Sequence, residues 1–151
     1  MHLTTAVDVA EWFLSQQQMT HKKIQKIVYY AYAWYYALTG NKLFDGEFEA
    51  WIHGPVNRQL YSRYAGNGWN PIAPDKAHGT DIPQEEEEFL QIIYNVFGEY
   101  SADELESMTH QEKPWIEARG GIPANQSSCQ VINDETMKSF YSELGKQNQI
   151  E

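Results

Sequence analysis

Residues 20–40, THKKIQKIVYYAYAWYYALTG, restrict the fold more than any other stretch of the chain. From Ile27 to Leu38 no residue is charged, and six of the twelve positions are Tyr or Trp. Ile24, Ile27, Val28, Ala31, Tyr35 and Leu38 recur at spacings of three and four, the signature of one helix face. Tyr29, Tyr32, Ala33 and Tyr36 form a second apolar stripe about a third of a turn away. A helix apolar around most of its circumference belongs at the centre of a domain. The uninterrupted apolar run is too short for a bilayer span, which takes about 18–20 residues. Thr20 is placed to cap the first turn, and Gly40 suits the left-handed residue that ends a helix. Each fully buried side chain stabilises such a helix by roughly 1.5–3 kcal/mol. Buried tyrosine hydroxyls need partners. The tyrosines at 29, 30, 32, 35 and 36 are therefore expected to reach polar groups on other elements, or to present an edge at the surface as a recognition element.

The remaining segments predict a mainly α fold, a single helical domain over 1–151 built around that rod. Residues Thr4–Gln17 read as a first helix, capped by Thr4 or Thr5, with Asp8 at its positive end and Val9, Trp12 and Phe13 facing inward. Asn41–Ile52 contains Asp45-Gly46, a turn pair with extended flanks, and predicts a short β-hairpin or an irregular loop. Gly54-Pro55 predicts the start of a helix with Val56, Leu60, Tyr61 and Tyr64 on its apolar face. Gly66–Pro83 is rich in Gly, Pro and Asn and reads as the longest loop, functional or mobile. Four glutamates after Pro83 open a helix whose expected core face is Phe89, Ile92, Ile93, Val96 and Phe97, the acids being solvated and matched to the dipole. Ser101-Ala-Asp-Glu104 is a capping box. Pro114 begins a short helix that Gly120-Gly121 ends. Ser128–Ile132 reads as extended, and Asn133 or Asp134 caps a last helix bearing Met137, Phe140, Tyr141 and Leu144. The final residues are polar and expected to fray.

Charge narrows the function. The net charge is −10, and only Lys22, Lys23 and Lys26 cluster among the cations, so no basic stripe suits nucleic acid. Between Asp81 and Glu106 there are nine acids and no Lys or Arg, a surface suited to a basic protein partner. The single cysteine, Cys129, excludes an internal disulfide and a zinc-finger spacing. His53 and His110 lack local ligand spacing, so no metal or cofactor is expected, and no nucleophile stands beside a base. The N-terminus lacks a basic region followed by an apolar one, which predicts a cytoplasmic protein with no membrane association. Arg58, a cation in a first helical turn, is expected to pair with Glu47 or Glu49. His110 is expected at a helix end, donating to a carbonyl.

KIQKIVYYAYAWYYALTGNKLF, EFEAWIHGPVNRQLY, the acidic helix ending FGEYSADEL, and MTHQEKPW occur in this order between residue 5 and about 119. In these pieces and their spacing the chain resembles the Panacea-domain antitoxins, SocA-like and related to the phage-associated GepA proteins. Lys113 stands before Pro114 where the family usually has one residue more in the gap or a glycine before the proline, a small departure. The resemblance implies a mainly helical, non-enzymatic antitoxin that neutralises a protein toxin encoded by the neighbouring gene through direct contact. It implies as an alternative an adaptor that delivers the bound toxin to a Clp protease. A role in phage defence or phage–host interaction has the same physics with another partner. From a different class, a small hydrolase or nucleotide-modifying enzyme would use His53, His110 and the acidic helix. The expected partner-binding residues are Trp51, His53, Arg58, Tyr61, Thr109, His110 and Trp115, with tyrosine edges of the central helix behind them.

Overall fold

The aromatic rod is the axis of the structure. A computed structural model describes residues 3–78 and 81–148; of the segments read above, Gly79, Thr80 and the terminal residues 149–151 lie outside it. Helix α2 (His21–Thr39) is capped by Thr20, whose side chain accepts from Lys23 N, and it ends at Gly40 in the left-handed conformation (φ 77°). Every residue from Ile24 to Trp34 is buried, whereas Leu38, expected inward, is exposed where the helix leaves the core.

The tyrosine hydroxyls do reach other elements. Tyr30 donates to Glu112 (2.8 Å), Tyr29 pairs with Tyr141 (3.1 Å), Tyr32 donates to Asp134 (3.1 Å), and Tyr36 to Glu135 (2.7 Å). Tyr35 instead packs edge-on against Phe89. These bonds tie the rod to α7 at Asp134, Glu135 and Tyr141 and to Glu112 at the start of α6.

Helix α1 (Ala6–Gln16) begins with a reciprocal capping box between Thr5 and Asp8. After α2 come two short antiparallel strands, β1 (Glu49–Trp51) and β2 (Gly54–Val56), turning at Ile52-His53. The position of this hairpin corrects the expected turn at Asp45-Gly46, and the irregular loop, the other reading of that stretch, is what forms there, with the Gly46 carbonyl accepting from Tyr32. It also corrects the helix start at Gly54-Pro55. Gly54 takes φ 110° and pairs with Trp51, and Pro55 faces Ala50 across the ladder. Proline is tolerated there because β2 is an edge strand whose missing N–H disrupts no further pairing. The residues 128–132 do run extended along the other side of β1: Ala50 N donates to Gln130 O (2.8 Å) and Ile132 N to Phe48 O (2.7 Å).

Asn57 then caps α3 (Arg58–Tyr64), in which Leu60 and Tyr64 face the core and Tyr61 stays 43% exposed. A single 3₁₀ turn, Ala65–Asn67, leads into the loop. Helix α4 (Gln84–Phe97) buries Leu90, Ile93 and Phe97, while Ile92 and Val96, expected inward, are exposed. A stripe at 90, 93 and 97 places 92 and 96 about 100° off the packed face. The acidic run is more than a solvated helix start, since Glu86 accepts from Thr4 and Glu87 from Trp12 Nε1. Helix α5 (Ala102–His110) starts with the predicted Ser101–Glu104 capping box. Helix α6 (Lys113–Arg119) ends at left-handed Gly120. Asn133 accepts from Thr136 N and caps α7 (Asp134–Asn148), whose Tyr141 ring packs among Tyr29, Tyr30 and Trp34. On the opposite flank Phe97 of α4 stacks on Tyr30, with centroids 4.3 Å apart and planes 5° from parallel.

Candidate functional site

The β1–β2 hairpin is held against the first half of α2 by two polar side chains that point out of an otherwise apolar rod. Gln25 brackets the backbone of Asn57: its Oε1 accepts from Asn57 N (2.8 Å) and its Nε2 donates to Asn57 O (3.1 Å). The pair copies a rung of a β-ladder with an amide side chain and fixes where α3 begins. One residue on, Lys26 lies under the hairpin, 2% exposed, and its Nζ donates to Pro55 O (3.3 Å). Gly54 is required above it, because a Cβ there would stand 2.6 Å from Lys26 Cε.

Above this base the sequence-predicted residues come together at one corner. Glu49 accepts from Trp51 Nε1 (2.8 Å) and Arg58 Nε (2.9 Å), so the expected ion pair forms with Glu49. Arg58 also lies over the Trp51 ring at 5.3 Å, and Tyr61 packs against the same ring at 5.1 Å. On the other side Trp115 Nε1 donates to Trp51 O (2.9 Å). His110, the last residue of α5, stacks on the Trp115 ring at 4.0 Å, its buried Nε2 without a hydrogen-bond partner among the described residues. That replaces the carbonyl contact expected from its place at a helix end. Burial holds the His110 ring below its ordinary pKa and keeps it neutral. Thr109 is buried and donates to Glu106 O (2.8 Å), and Trp115 is buried over Arg119, which donates to the carbonyls of Ala50, Pro123 and Gln126. Thr109 and Trp115 thus support the corner from within, whereas His53, Arg58 and Tyr61 carry its surface.

His53, at the hairpin tip, separates two concavities. One, about 440 Å³, is lined by Lys22, Asp103, Glu106 and His110. Here Lys22 pairs with Asp103 (2.7 Å) and Glu106 (2.5 Å), and His53 approaches Glu106 at 3.3 Å. Burial alone would raise the Glu106 carboxyl, but Lys22 and His53 outweigh it and hold it below its ordinary value. The second, about 390 Å³, is walled by Trp51, Tyr61 and Trp69 with His21 and Lys26 also lining it. Burial, reinforced by Lys26, pushes the His21 ring down to about 4, so it is neutral, and Gln25 Nε2 lies 3.0 Å from its Nε2.

Trp69, 79% exposed, did not emerge from the sequence because it stands alone in a Gly- and Asn-rich loop with no periodicity to assign it a face. In the sequence Lys26 is one of three clustered cations. Its spacing from Ile27 and Tyr30, both buried, was the available signal that it lies on a packed side of the helix.

The Panacea-domain model, described as antitoxin SocA-like, matches residues 24–116. The chain belongs to the SocA-like Panacea-domain family. Antitoxin SocA of Caulobacter vibrioides (strain NA1000 / CB15N) is 28% identical over 130 residues, covering 78% of this chain and 69% of that protein. No solved structure matches the chain. The part matched by the Panacea-domain model runs from Gln25 and Lys26 through the hairpin to Trp115, while α1, α7 and the flanking His21, Lys22 and Arg119 fall outside it. Among the described residues of this Panacea domain, no helix is long and apolar enough to cross a membrane, and no three His, Cys, Asp or Glu side chains converge as a metal site.

Proposed function

We propose that the chain is the antitoxin of a toxin–antitoxin pair and neutralises a protein toxin, encoded by the neighbouring gene, by direct contact and without catalysing a reaction. The carrying observation is that the SocA-like antitoxin family match spans the hairpin corner. Two features of the corner favour a protein partner: aromatic side chains left partly open at Tyr61 and Trp69, and an orderly scaffold that holds Trp51 from both sides. Exposed Tyr and Trp on a rigid base concentrate binding energy at small entropic cost. The contact falls on Trp51, His53, Arg58, Tyr61 and the edge of His110, with Thr109 and Trp115 holding them in place. The acids of 81–106 supply long-range attraction for a basic toxin.

Co-expression tests this reading. The neighbouring gene should arrest growth alone and be harmless with the antitoxin. Replacing Trp69 by Ala should weaken rescue while leaving stability within about 0.5 kcal/mol of wild type, because that ring is 79% exposed. A neighbour that is harmless alone, or toxic in the presence of this chain, overturns it. Direct masking is distinguished from delivery to a Clp protease by the toxin's abundance, which masking leaves unchanged when the protease is inactivated.

A further inference from the structure

Lys26 is a buried cation with too few partners. It has three N–H donors and one acceptor, Pro55 O at 3.3 Å, and no carboxylate of the described residues lies within ion-pair reach of it. Other cations here are treated differently. Lys22 pairs with Asp103 and Glu106, Arg58 with Glu49 and Arg63 with Asp75. Arg119, as deeply buried as Lys26, gives its Nη groups to three carbonyls and lies over Trp115, with only its Nε left without a partner among the described residues. The Lys26 stem lies directly beneath Gly54, where an added Cβ would stand 2.6 Å from Cε, and the residue is 2% exposed. A desolvated ammonium in this state destabilises the fold unless an anion reaches it. Lys26 also lines the groove of about 390 Å³ beside the hairpin, together with Trp51, Tyr61 and Trp69.

We infer that this groove receives a carboxylate side chain of the protein partner onto the Lys26 ammonium, with an apolar residue next to that carboxylate packing on Trp69 and Tyr61. The inference specifies the partner chemistry of the surface proposed above and rests on that reading. Trp69 is 79% exposed and Tyr61 43%, so the groove offers apolar area, and the 2% exposed Lys26 is among the residues that line it. A single negative charge fits better than a phosphate dianion, because Asp103 and Glu106 stand on the far side of His53 and Lys22 is already neutralised by them. In the free chain, burial together with Lys22 brings the Lys26 amine down to about 7, with Glu106 opposing. Ordinary solution conditions therefore leave a sizeable fraction uncharged, and an entering carboxylate restores the charge.

Two experiments test this. First, the purified chain is titrated with acetyl-Phe-Glu-amide, acetyl-Phe-Gln-amide and acetyl-phenylalanine while the indole N–H resonances are followed by NMR. The Glu peptide should shift the Trp51 and Trp69 indoles at millimolar concentration and bind about fivefold or more tighter than the Gln peptide. Lys26→Met should erase the difference. Equal binding of the Glu and Gln peptides, no shift with either, or binding of acetyl-phenylalanine alone would overturn the inference. Second, Lys26→Met is placed in the co-expression assay. Met fills a similar volume without a charge, so the variant should melt at or above the wild-type temperature and yet lose rescue by tenfold or more in tolerated toxin level. If wild type rescues and the stable variant rescues equally, the carboxylate inference fails while the antitoxin reading stands. If wild type itself fails to rescue, it is the antitoxin reading that falls, and the peptide titration still decides the chemistry of the groove.

Discussion

Glu112 is the most informative residue to change. Its carboxylate accepts from Tyr30 OH and Tyr141 OH, both at 2.8 Å, and Tyr141 OH is itself 3.1 Å from Tyr29 OH. One acid thus ties α2 to α7 through the centre of the core. Burial pushes its pKa from 4.5 up to about 7, against the opposing effect of the two tyrosine bonds. Between these values the folded chain holds a proton that the unfolded chain has lost. Stability then falls as pH rises, by about 1.4 kcal/mol per pH unit. The contribution is fully present below the unfolded pKa and gone above about 7, a total on the order of 3 kcal/mol. Glu112→Gln keeps in its Oε1 the acceptor that Tyr30 and Tyr141 share, without a charge to desolvate. Urea unfolding of both proteins from pH 4.5 to 8.5 should give a difference that grows with pH, the variant being more stable by about 2–3 kcal/mol at pH 8 and within about 1 kcal/mol of wild type at pH 4.5. A pH-independent difference, or a variant less stable at pH 8 than wild type, would refute the argument that Glu112 is charged against its surroundings.

Three further substitutions address the frame. Trp34→Ala should cost about 3–5 kcal/mol in denaturant unfolding, since the ring is 2% exposed between Tyr141 and Gly145; a cost below about 1 kcal/mol would contradict its burial. Gly54→Ala meets both a positive φ and Lys26 Cε at 2.6 Å, so it should lower stability by about 2 kcal/mol or more and disturb the Trp51 indole resonance; an unchanged melt would mean the hairpin is not seated on Lys26. Ser101→Ala removes the acceptor for Glu104 N at the start of α5 and should cost about 1 kcal/mol with rescue activity retained, read by thermal melt and co-expression.

Some of this architecture was legible before any coordinates, and the readable parts share a cause. The capping of α1, α2 and α5, the helix ends at Gly40 and Gly120, and the buried apolar run from Ile27 to Trp34 depend on residues within four positions of each other. The expectation that tyrosine hydroxyls would find polar partners followed from the cost of leaving them unpaired, although nothing local named Glu112, Asp134 or Glu135 as those partners. The ion pair of Arg58 with Glu49 was likewise one of two local choices.

What only the tertiary structure decided are the features made by contacts between distant segments. Gly54-Pro55 has the local form of a helix start, and it is strand because Gln25 and Lys26 of α2 hold the backbone at Asn57 and Pro55. Ile92 and Val96 satisfy a helical period, yet the face that packs is chosen by α2, which takes Phe97 onto Tyr30. Lys26 reads as one of three neighbouring surface cations until the hairpin closes over it. Helix periods, caps and turn residues act through a few bonds and so survive in one dimension. Burial of a charge and the making of a groove depend on which surfaces meet, and that is settled only when the chain has folded back on itself.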